Sequence, residues 1–507
     1  MKMPNILFFQ VDQLAAQSLR AYGDPICVSP TIDRLAEEGV VFEKAYCNFP
    51  LCSPSRFSMA TGQLCSTIGV YDNAAEMPAS VPTYAHYLRT LGYQTAVSGK
   101  MHFIGPDQYH GFEARLTPDL YPADFSWVPN WGAEGKRDTN DPRTVLVSGI
   151  CERSVQIDFD EEATYRAVRH LYDVARSGDG RPFFLQVSYT HPHDPYLCRK
   201  EFWDLYKHAD IPLPAVGALG ESEHDPHSVR LLRDWGMLDY KFTDEDIRRA
   251  RHAYYGSISY LDGMIGRIIE TLNAVGKEQE TVIVFTSDHG EMMGERGLWM
   301  KKHFFERSIR VPLILYAPWI TSQRVSELVS LLDLLPTFNG LAVGGDWENS
   351  VEPLEGRDLT MFLNKGNSIS SRTIHAEYLA ESTEAPMFMI RRGSHKYICS
   401  SADPGLLYNV DEDPNELKNL AADPRHADLV AELQAYIATK WDNEKLTRDI
   451  LLSQRRRRLI LQANANGEVP RWNHGESPGE QVIWYRGGGS YSDWAFTYLP
   501  PLKSLEN

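Results

Sequence analysis

The sequence predicts an α/β fold, a sandwich around a central, mostly parallel sheet, followed by a smaller α+β domain with a short antiparallel sheet. Three observations carry this. Short apolar, β-rich runs recur at 5–12 (NILFFQVD), 94–100 (QTAVSGK), 183–189 (FFLQVSY), 281–288 (TVIVFTSD) and 311–318 (VPLILYAP). Near-continuous apolarity marks strands covered on both faces, and helical patterns alternate with them. Polar groups gather where the runs end, at Asp12, Lys100, Asp288 and His289. In open α/β sheets the site lies beyond the carboxyl ends of the strands.

Taken in order, the first run follows a single lysine, is too short to span a membrane and has no small-residue cleavage site. It reads as the first strand of a cytoplasmic protein. Residues 29–40 (SPTIDRLAEEGV) open on a Ser-Pro cap signal and close on Gly39, which predicts a helix. Residues 83–93 and 257–276 follow the same logic. After about residue 370 the texture changes. RTIHAEY, FMIRRGSHKYICS and GLLYNV read as short antiparallel strands, with a helix over 425–441. The expected organisation is a catalytic domain over 1–368, a small domain over 369–442 and a tail over 443–507. Trp472, Trp484, Tyr485, Tyr491, Trp494, Phe496 and Tyr498 make the tail too aromatic for a solvated segment. It is expected to pack on a neighbouring subunit of a homo-oligomer, a dimer or tetramer.

Composition excludes some functions. The chain has 507 residues, 43% of them hydrophobic, and a net charge of −17, which argues against a nucleic-acid binder. Seven scattered cysteines do not form a disulfide framework. Nothing predicts a membrane partner.

Two strand ends offer hard oxygen donors and an imidazole: Asp12, Asp288 and His289, with Gln13 beside them. Such a set suits Ca²⁺ first, and Mn²⁺ or Mg²⁺ as alternatives. Either aspartate alone could merely cap a helix. Arg56, Lys100, His102, His193 and Lys301 add the cationic character that stabilises charge building on a tetrahedral anion. Cys47, Cys52 and Cys65 fit a zinc site poorly, lacking a fourth ligand nearby. The histidines of HDPH (224–227) are expected in a loop with no element to fix them.

With these residues together, the chain resembles the type I sulfatases of the alkaline phosphatase superfamily. CSPSR (52–56) with TGQ behind it matches the family's Cys-x-Pro-x-Arg signature. GKMH, PHDP and SDHGEMMGERGLWMKKHFFE resemble its other site elements, in order along the chain. The resemblance implies an alkaline-phosphatase-like sandwich. It also implies that Cys52 is converted to Cα-formylglycine by a formylglycine-generating enzyme that reads Pro54 and Arg56. The hydrated aldehyde attacks sulfur through one hydroxyl and expels the alcohol. The second hydroxyl then loses its proton, to His102, and C–O cleavage releases sulfate. By the same resemblance Asp12, residue 52, Asp288 and His289 hold the metal, while Lys100, His193 and Lys301 grip sulfate oxygens or protonate the leaving oxygen. Arg56 steadies the hydrated side chain.

The pattern departs from the family in two places. Gln13 stands where many sulfatases have a second aspartate, and His289 where many have asparagine. Both departures resemble the branch of choline sulfatases and phosphonate monoester hydrolases. GVYDNAAE (69–76), SGKMHFIGPDQYHGFE (98–113) and YPADFSW (121–127) look most like choline sulfatases. They imply a small alkyl sulfate ester as substrate, choline sulfate foremost, bound near Asn73, Trp127 and Trp131 through cation–π attraction. A phosphonate monoester or phosphodiester hydrolase, an arylsulfatase, and a non-catalytic metal-binding protein with unmodified Cys52 stand as alternatives.

Overall fold

In the computed structural model, residues 3–133, 140–345, 347–364, 372–468, 471–475 and 491–501 are described. The five apolar runs all become strands of one sheet. Its main strands are β1 (Asn5–Val11), β2 (Val40–Tyr46), β3 (Gln94–Gly99), β4 (Phe183–Ser188), β5 (Thr281–Ser287), β6 (Leu313–Tyr316) and β7 (Gln323–Ser330). Their spatial order is β2-β6-β5-β1-β4-β3, with β7 paired to β2. β5, β1, β4 and β3 run parallel to one another, whereas β6 is antiparallel to both its neighbours. All seven residues of β1 are buried. Phe8 on this strand packs against Phe184 and Phe338 at centroid separations of 6.4 and 5.1 Å. That two-sided burial is what the unbroken apolar runs required.

Parallel pairing has a consequence for function. Four neighbouring strands deliver their carboxyl ends to one side of the sheet, and with them Asp12, Lys100, the His193 loop and Asp288. Gly99, at φ 101°, allows this closeness between β3 and β4: a Cβ there would lie 1.8 Å from the Ser188 carbonyl oxygen.

The first predicted helix is α1 (Pro30–Glu38), with Ser29 at the N-cap position, but the Ser29 side chain makes no capping bond. Asp262, on the long helix α2 (Asp244–Ala274), takes that role and accepts from the backbone N–H of Thr31 (3.1 Å) and Ile32 (2.8 Å). Gly39 closes α1 because of close approach, since a Cβ would meet the Leu315 carbonyl oxygen at 2.5 Å. The HDPH segment is not a loop throughout. Asp225 accepts from Ser228 N (3.0 Å) and caps a helix over Pro226–Asp234, which fixes His227.

The small domain follows the expected pattern: β8 (Thr373–Tyr378), β9 (Met387–Arg392), β10 (His395–Ser400) and β11 (Leu406–Asn409) form an antiparallel sheet in chain order. A helix over Ala427–Lys440 comes next. From residue 443, where a tail was expected, the chain forms a further helix, α3 (Asn443–Asn464), which buries Leu446, Ile450, Gln454 and Arg457. Beyond it, Trp472 meets Phe125 (5.2 Å between centroids), and Tyr498–Leu499 pairs antiparallel with Arg153–Ser154 of the same chain. Trp484 and Tyr485 lie outside the described residues, as do the side chains of Tyr491 and Trp494. Among the described residues no helix is long and apolar enough to cross a membrane.

Candidate active site

Cys52 opens the helix Cys52–Thr61, every residue of which is buried. Pro54 suits the first turn, where an N–H is unneeded, and Gly62 closes the helix in the left-handed region. The positive end of the helix dipole lies at residue 52, a setting that favours anions. Asn73 secures this turn: its Oδ1 accepts from Ser53 N at 3.0 Å.

Cys52 Sγ lies 3.8 Å from Asp12 Oδ1 and 3.3 Å from His289 Nε2. His289 Nε2 in turn stands 3.7 Å from Asp12 Oδ1 and 3.6 Å from Asp288 Oδ1. The ligand atoms of these four residues all fall within 4.8 Å of one another, and among the described residues this is the only such cluster. Donor separations of this size suit one cation at metal–ligand distances of about 2.0–2.6 Å. Two carboxylates and an imidazole match a hard or borderline divalent ion, so the residues fit the metal that the sequence implied. Gln13 is turned to other work: its Oε1 accepts from Lys301 Nζ, while Nε2 donates to Asp194 Oδ1 (3.2 Å) and Glu291 Oε2 (2.5 Å). The three-cysteine zinc alternative has no counterpart here, and Cys65 Sγ instead contacts the Pro54 carbonyl at 3.1 Å.

Cations surround the cluster. Arg56 donates from Nε to Asp288 Oδ2 (2.8 Å), from Nη2 to Asp12 Oδ2 (3.3 Å) and from Nη1 to the Lys100 carbonyl (2.6 Å) and Ser188 Oγ (2.7 Å). It thus ties four strand ends to the helix that carries Cys52. Lys100 Nζ bonds Asp12 Oδ2 and sits 4.2 Å from the Tyr121 ring centroid. His193 Nδ1 donates to the Asp194 carbonyl (2.6 Å), which leaves Nε2 to accept from Lys301 at 2.8 Å. All four side chains are buried. Burial and Asp12 push the Cys52 thiol up, but Lys100 and Lys301 outweigh them and hold it below its ordinary value. Burial alone would lower Lys301; Cys52, Asp12 and Asp194 keep it above the usual lysine range. The position of residue 52 is therefore electropositive, as a site for a developing oxyanion must be.

His102 is also buried, and neither ring nitrogen has a hydrogen-bond partner. Burial, reinforced by Lys100, holds it well below the usual imidazole value, so the ring is neutral and able to accept a proton. It packs against Tyr121 (4.8 Å) and Trp127 (5.6 Å, edge-on). Trp127 is half-buried beside the site. Trp131 is held differently, with its indole N–H donated to the Ala380 carbonyl (2.5 Å) and its backbone N–H to Gln454 Oε1 (3.1 Å).

Several partners escaped the sequence reading. Ser55 Oγ donates to the Asp288 carbonyl (2.5 Å), and Asp119 Oδ2 accepts from the backbone N–H of both Met101 (3.0 Å) and His102 (2.7 Å). Glu291 receives Gln13 Nε2, Met293 N (2.9 Å) and Met300 N (2.6 Å), and burial pushes its carboxyl up to about 7. Only the Ser of the signature and the Glu after SDHG offered a local clue; Asp119 had none.

The sulfatase family model matches residues 4–345, and a model of the C-terminal region of N-sulphoglucosamine sulphohydrolase matches residues 294–443. The chain belongs to the sulfatase family and is an enzyme that hydrolyses sulfate esters. Among its relatives is the choline-sulfatase of Rhizobium meliloti (strain 1021), 42% identical over 481 residues and covering 93% of each chain. An arylsulfatase of Clostridium perfringens is 28% identical, over 82% of this chain and 90% of its own. The fold also matches the phosphonate monoester hydrolase of Agrobacterium radiobacter, with a TM-score of 0.69 at 24% identity, covering 86% of this chain and 95% of that one.

Proposed function

We propose that this sulfatase cleaves a small alkyl sulfate ester, choline sulfate foremost, using formylglycine at position 52 and one divalent cation. The observation that carries the mechanism is the convergence of Asp12, residue 52, Asp288 and His289 within 4.8 Å, ringed by Arg56, Lys100, His193 and Lys301. The cation, Ca²⁺ on the strength of its two carboxylates, with Mn²⁺ or Mg²⁺ as alternatives, supplies positive charge to the nucleophile and the sulfuryl oxygens. Asp12, Asp288, His289 and residue 52 hold it; Gln13 serves Lys301 instead.

One hydroxyl of the hydrated residue 52, its proton released to solvent under the positive charge of the site, attacks sulfur as the S–O bond to the alcohol breaks. Lys301, backed by His193, gives the departing oxygen its proton. Neutral His102 then takes the proton of the second hydroxyl, the C–O bond to sulfate breaks, and the aldehyde is restored. Lys100 and Arg56 hold the charge throughout. Cys52 is only 2% exposed, so a formylglycine-generating enzyme has to read it before the chain folds around it. The rings of Trp127 and Tyr121 beside His102, with Asn73 close to residue 52, are the wall on which a quaternary ammonium rests. The reading also places the enzyme in the cytoplasm as a homo-oligomer.

The test has two parts. Peptide mass over residue 52 should be about 18 Da lower than the cysteine form through the exchange of sulfur for oxygen and loss of hydrogen, and Cys52→Ala should fold yet lose sulfate-ester hydrolysis. Choline sulfate should outcompete a neutral alkyl sulfate of similar size, and Trp127→Ala should erase a several-fold to tens-fold preference, as a cation–π contact of about 0.5–2 kcal/mol implies. Equal rates on the two esters would discard choline. Gln13 and His289 favour one further reading, a phosphonate monoester hydrolase, which faster turnover of an aryl phosphonate than of an aryl sulfate would establish.

A further inference from the structure

The loop that carries His289 and Lys301 has a second face. Between residues 292–310 on that face and the small domain lies a cavity of about 480 Å³. Arg391, on β9, reaches into it from the small domain, while Arg296, Arg307 and Arg310 reach into it from the loop side. Six cationic and five acidic side chains line it in all.

The two sets are not equally engaged. Glu306 accepts from Tyr46 and from Lys396, both at 3.1 Å, and Glu416 lies 2.5 Å from Lys396 Nζ and accepts from Glu306 N at 2.7 Å. Glu295 accepts from the backbone N–H of Ala215 (3.0 Å) and Val216 (2.9 Å), and Glu43 from Arg324 (2.7 Å). Asp411 lies 3.3 Å from Arg391 Nη2 and 3.7 Å from Lys44. The donors are less fully used. The Arg391 side chain is 1% exposed, yet its Nε and Nη1 have no hydrogen-bond partner, and neither has Arg296 Nε. Arg296 is fixed by its Nη1 bond to the Glu416 carbonyl (2.7 Å) and by stacking over Phe305 at 4.5 Å. Buried charged donors without acceptors are costly, and Arg391 Nε, Arg391 Nη1 and Arg296 Nε each have an N–H to offer to one oxygen of an oxyanion.

We infer that this cavity is a second, non-catalytic site for a tetrahedral oxyanion of the sulfate or phosphate class, held by Arg391 with Arg296. Its position couples it to the first. Glu291 N donates to the Arg307 carbonyl at 2.8 Å, and the Glu291 carboxylate holds Gln13 and Met300 N, the neighbours of Lys301. An oxyanion bound at Arg391 therefore touches the segment that sets the catalytic lysine, and product sulfate acting there slows turnover without competing with substrate.

Crystals of the full-length enzyme soaked in selenate, with its anomalous signal, test the site directly. Two peaks are expected, one at residue 52 and one within hydrogen-bond reach of Arg391. Calorimetry with sulfate, and separately with phosphate, should give two sites per chain and tell which anion the second prefers. Arg391→Met should weaken that site at least tenfold, remove the non-competitive part of sulfate inhibition, and leave kcat/KM at trace sulfate within twofold. A single site per chain in the unaltered enzyme, or a second peak that survives Arg391→Met, overturns the assignment. The unaltered protein decides the matter even if the variant does not fold.

Discussion

At the scale of single residues, backbone and burial hold His102 in the state that the proposed mechanism asks of its base. Its φ of 60° is unusual for a residue with a side chain, and Asp119 sustains it by accepting the N–H of Met101 and His102 while Arg115 holds Asp119 at 2.7 Å. The imidazole then sits buried among Tyr121 and Trp127 with both nitrogens unpartnered. Protonation removes a base, and this base is held well below the ordinary imidazole value. Activity should therefore persist as pH falls through 6–7, and the acid limb assigned to His102 should lie below that range. His102→Gln should lower kcat by about 10²–10⁴-fold, the usual worth of a positioned base. A kcat profile whose acid limb centres at 6.5 and disappears in His102→Gln would contradict the depressed value. Glu291 makes a second case. It accepts three N–H groups, including Gln13 Nε2, and Gln13 in turn holds Lys301. Removing a buried acceptor costs about 1–3 kcal/mol for each donor left unpaired. Glu291→Ala should lower Tm by several degrees and slow poor leaving groups (alkyl alcohols) more than nitrophenol, because Lys301 loses its register. An equal loss on both esters would separate Glu291 from leaving-group protonation.

At the scale of elements, the strands were legible because both faces are buried, and burial on both faces demands an unbroken apolar run. The meeting of Asp12, Asp288 and His289 was legible for a related reason: parallel strands end together, so polar residues at run ends had to meet. Caps were less legible. Ser29-Pro30 does open a helix, yet the bonds that satisfy its first turn come from Asp262, 231 residues away along the chain from Thr31. No local pattern encodes that, since the partner is chosen by the packing of α1 on α2. The helical fate of residues 443–464 was missed for another reason. Its buried face carries Gln454 and Arg457 as well as leucine and isoleucine, so the apolar stripe is broken by polar residues that pair only in the fold. A direct test of the long-range cap is Asp262→Ala. It strips acceptors from Thr31 and Ile32 N–H and should cost about 1–3 kcal/mol, within the range for lost caps and unsatisfied buried donors. Chemical denaturation should show a lower midpoint with an unchanged slope, while kcat/KM stays near that of the parent. A shift under about 0.5 kcal/mol would return the capping role to Ser29.

At the scale of the whole molecule, the C-terminal helix α3 is wired into the surroundings of residue 52. Arg457 makes a buried two-point ion pair with Asp72, with Nη1 and Nη2 at 2.6 and 2.7 Å from its two oxygens. Asp72 Oδ1 also accepts from Ala74 N (2.9 Å), which shapes the turn on which Asn73 reaches Ser53 N, one residue beyond Cys52. Three residues earlier on α3, Gln454 holds the backbone of Trp131. The helix thus sets the seat of residue 52 from the far end of the sequence. Breaking one side of a buried pair strands the other charge, at a cost of about 3–5 kcal/mol. Arg457→Met should therefore lower stability by that order and weaken sulfate-ester turnover through the loosened Asn73 turn. Arg457→Met with Asp72→Asn removes the stranded charge but keeps an acceptor for Ala74 N, so much of the stability and activity should return. The measurements are denaturant midpoints and kcat/KM for the parent, both single variants and the double variant. If the double variant is no better than Arg457→Met alone in either quantity, α3 supports the fold by packing and the ion pair does not position residue 52.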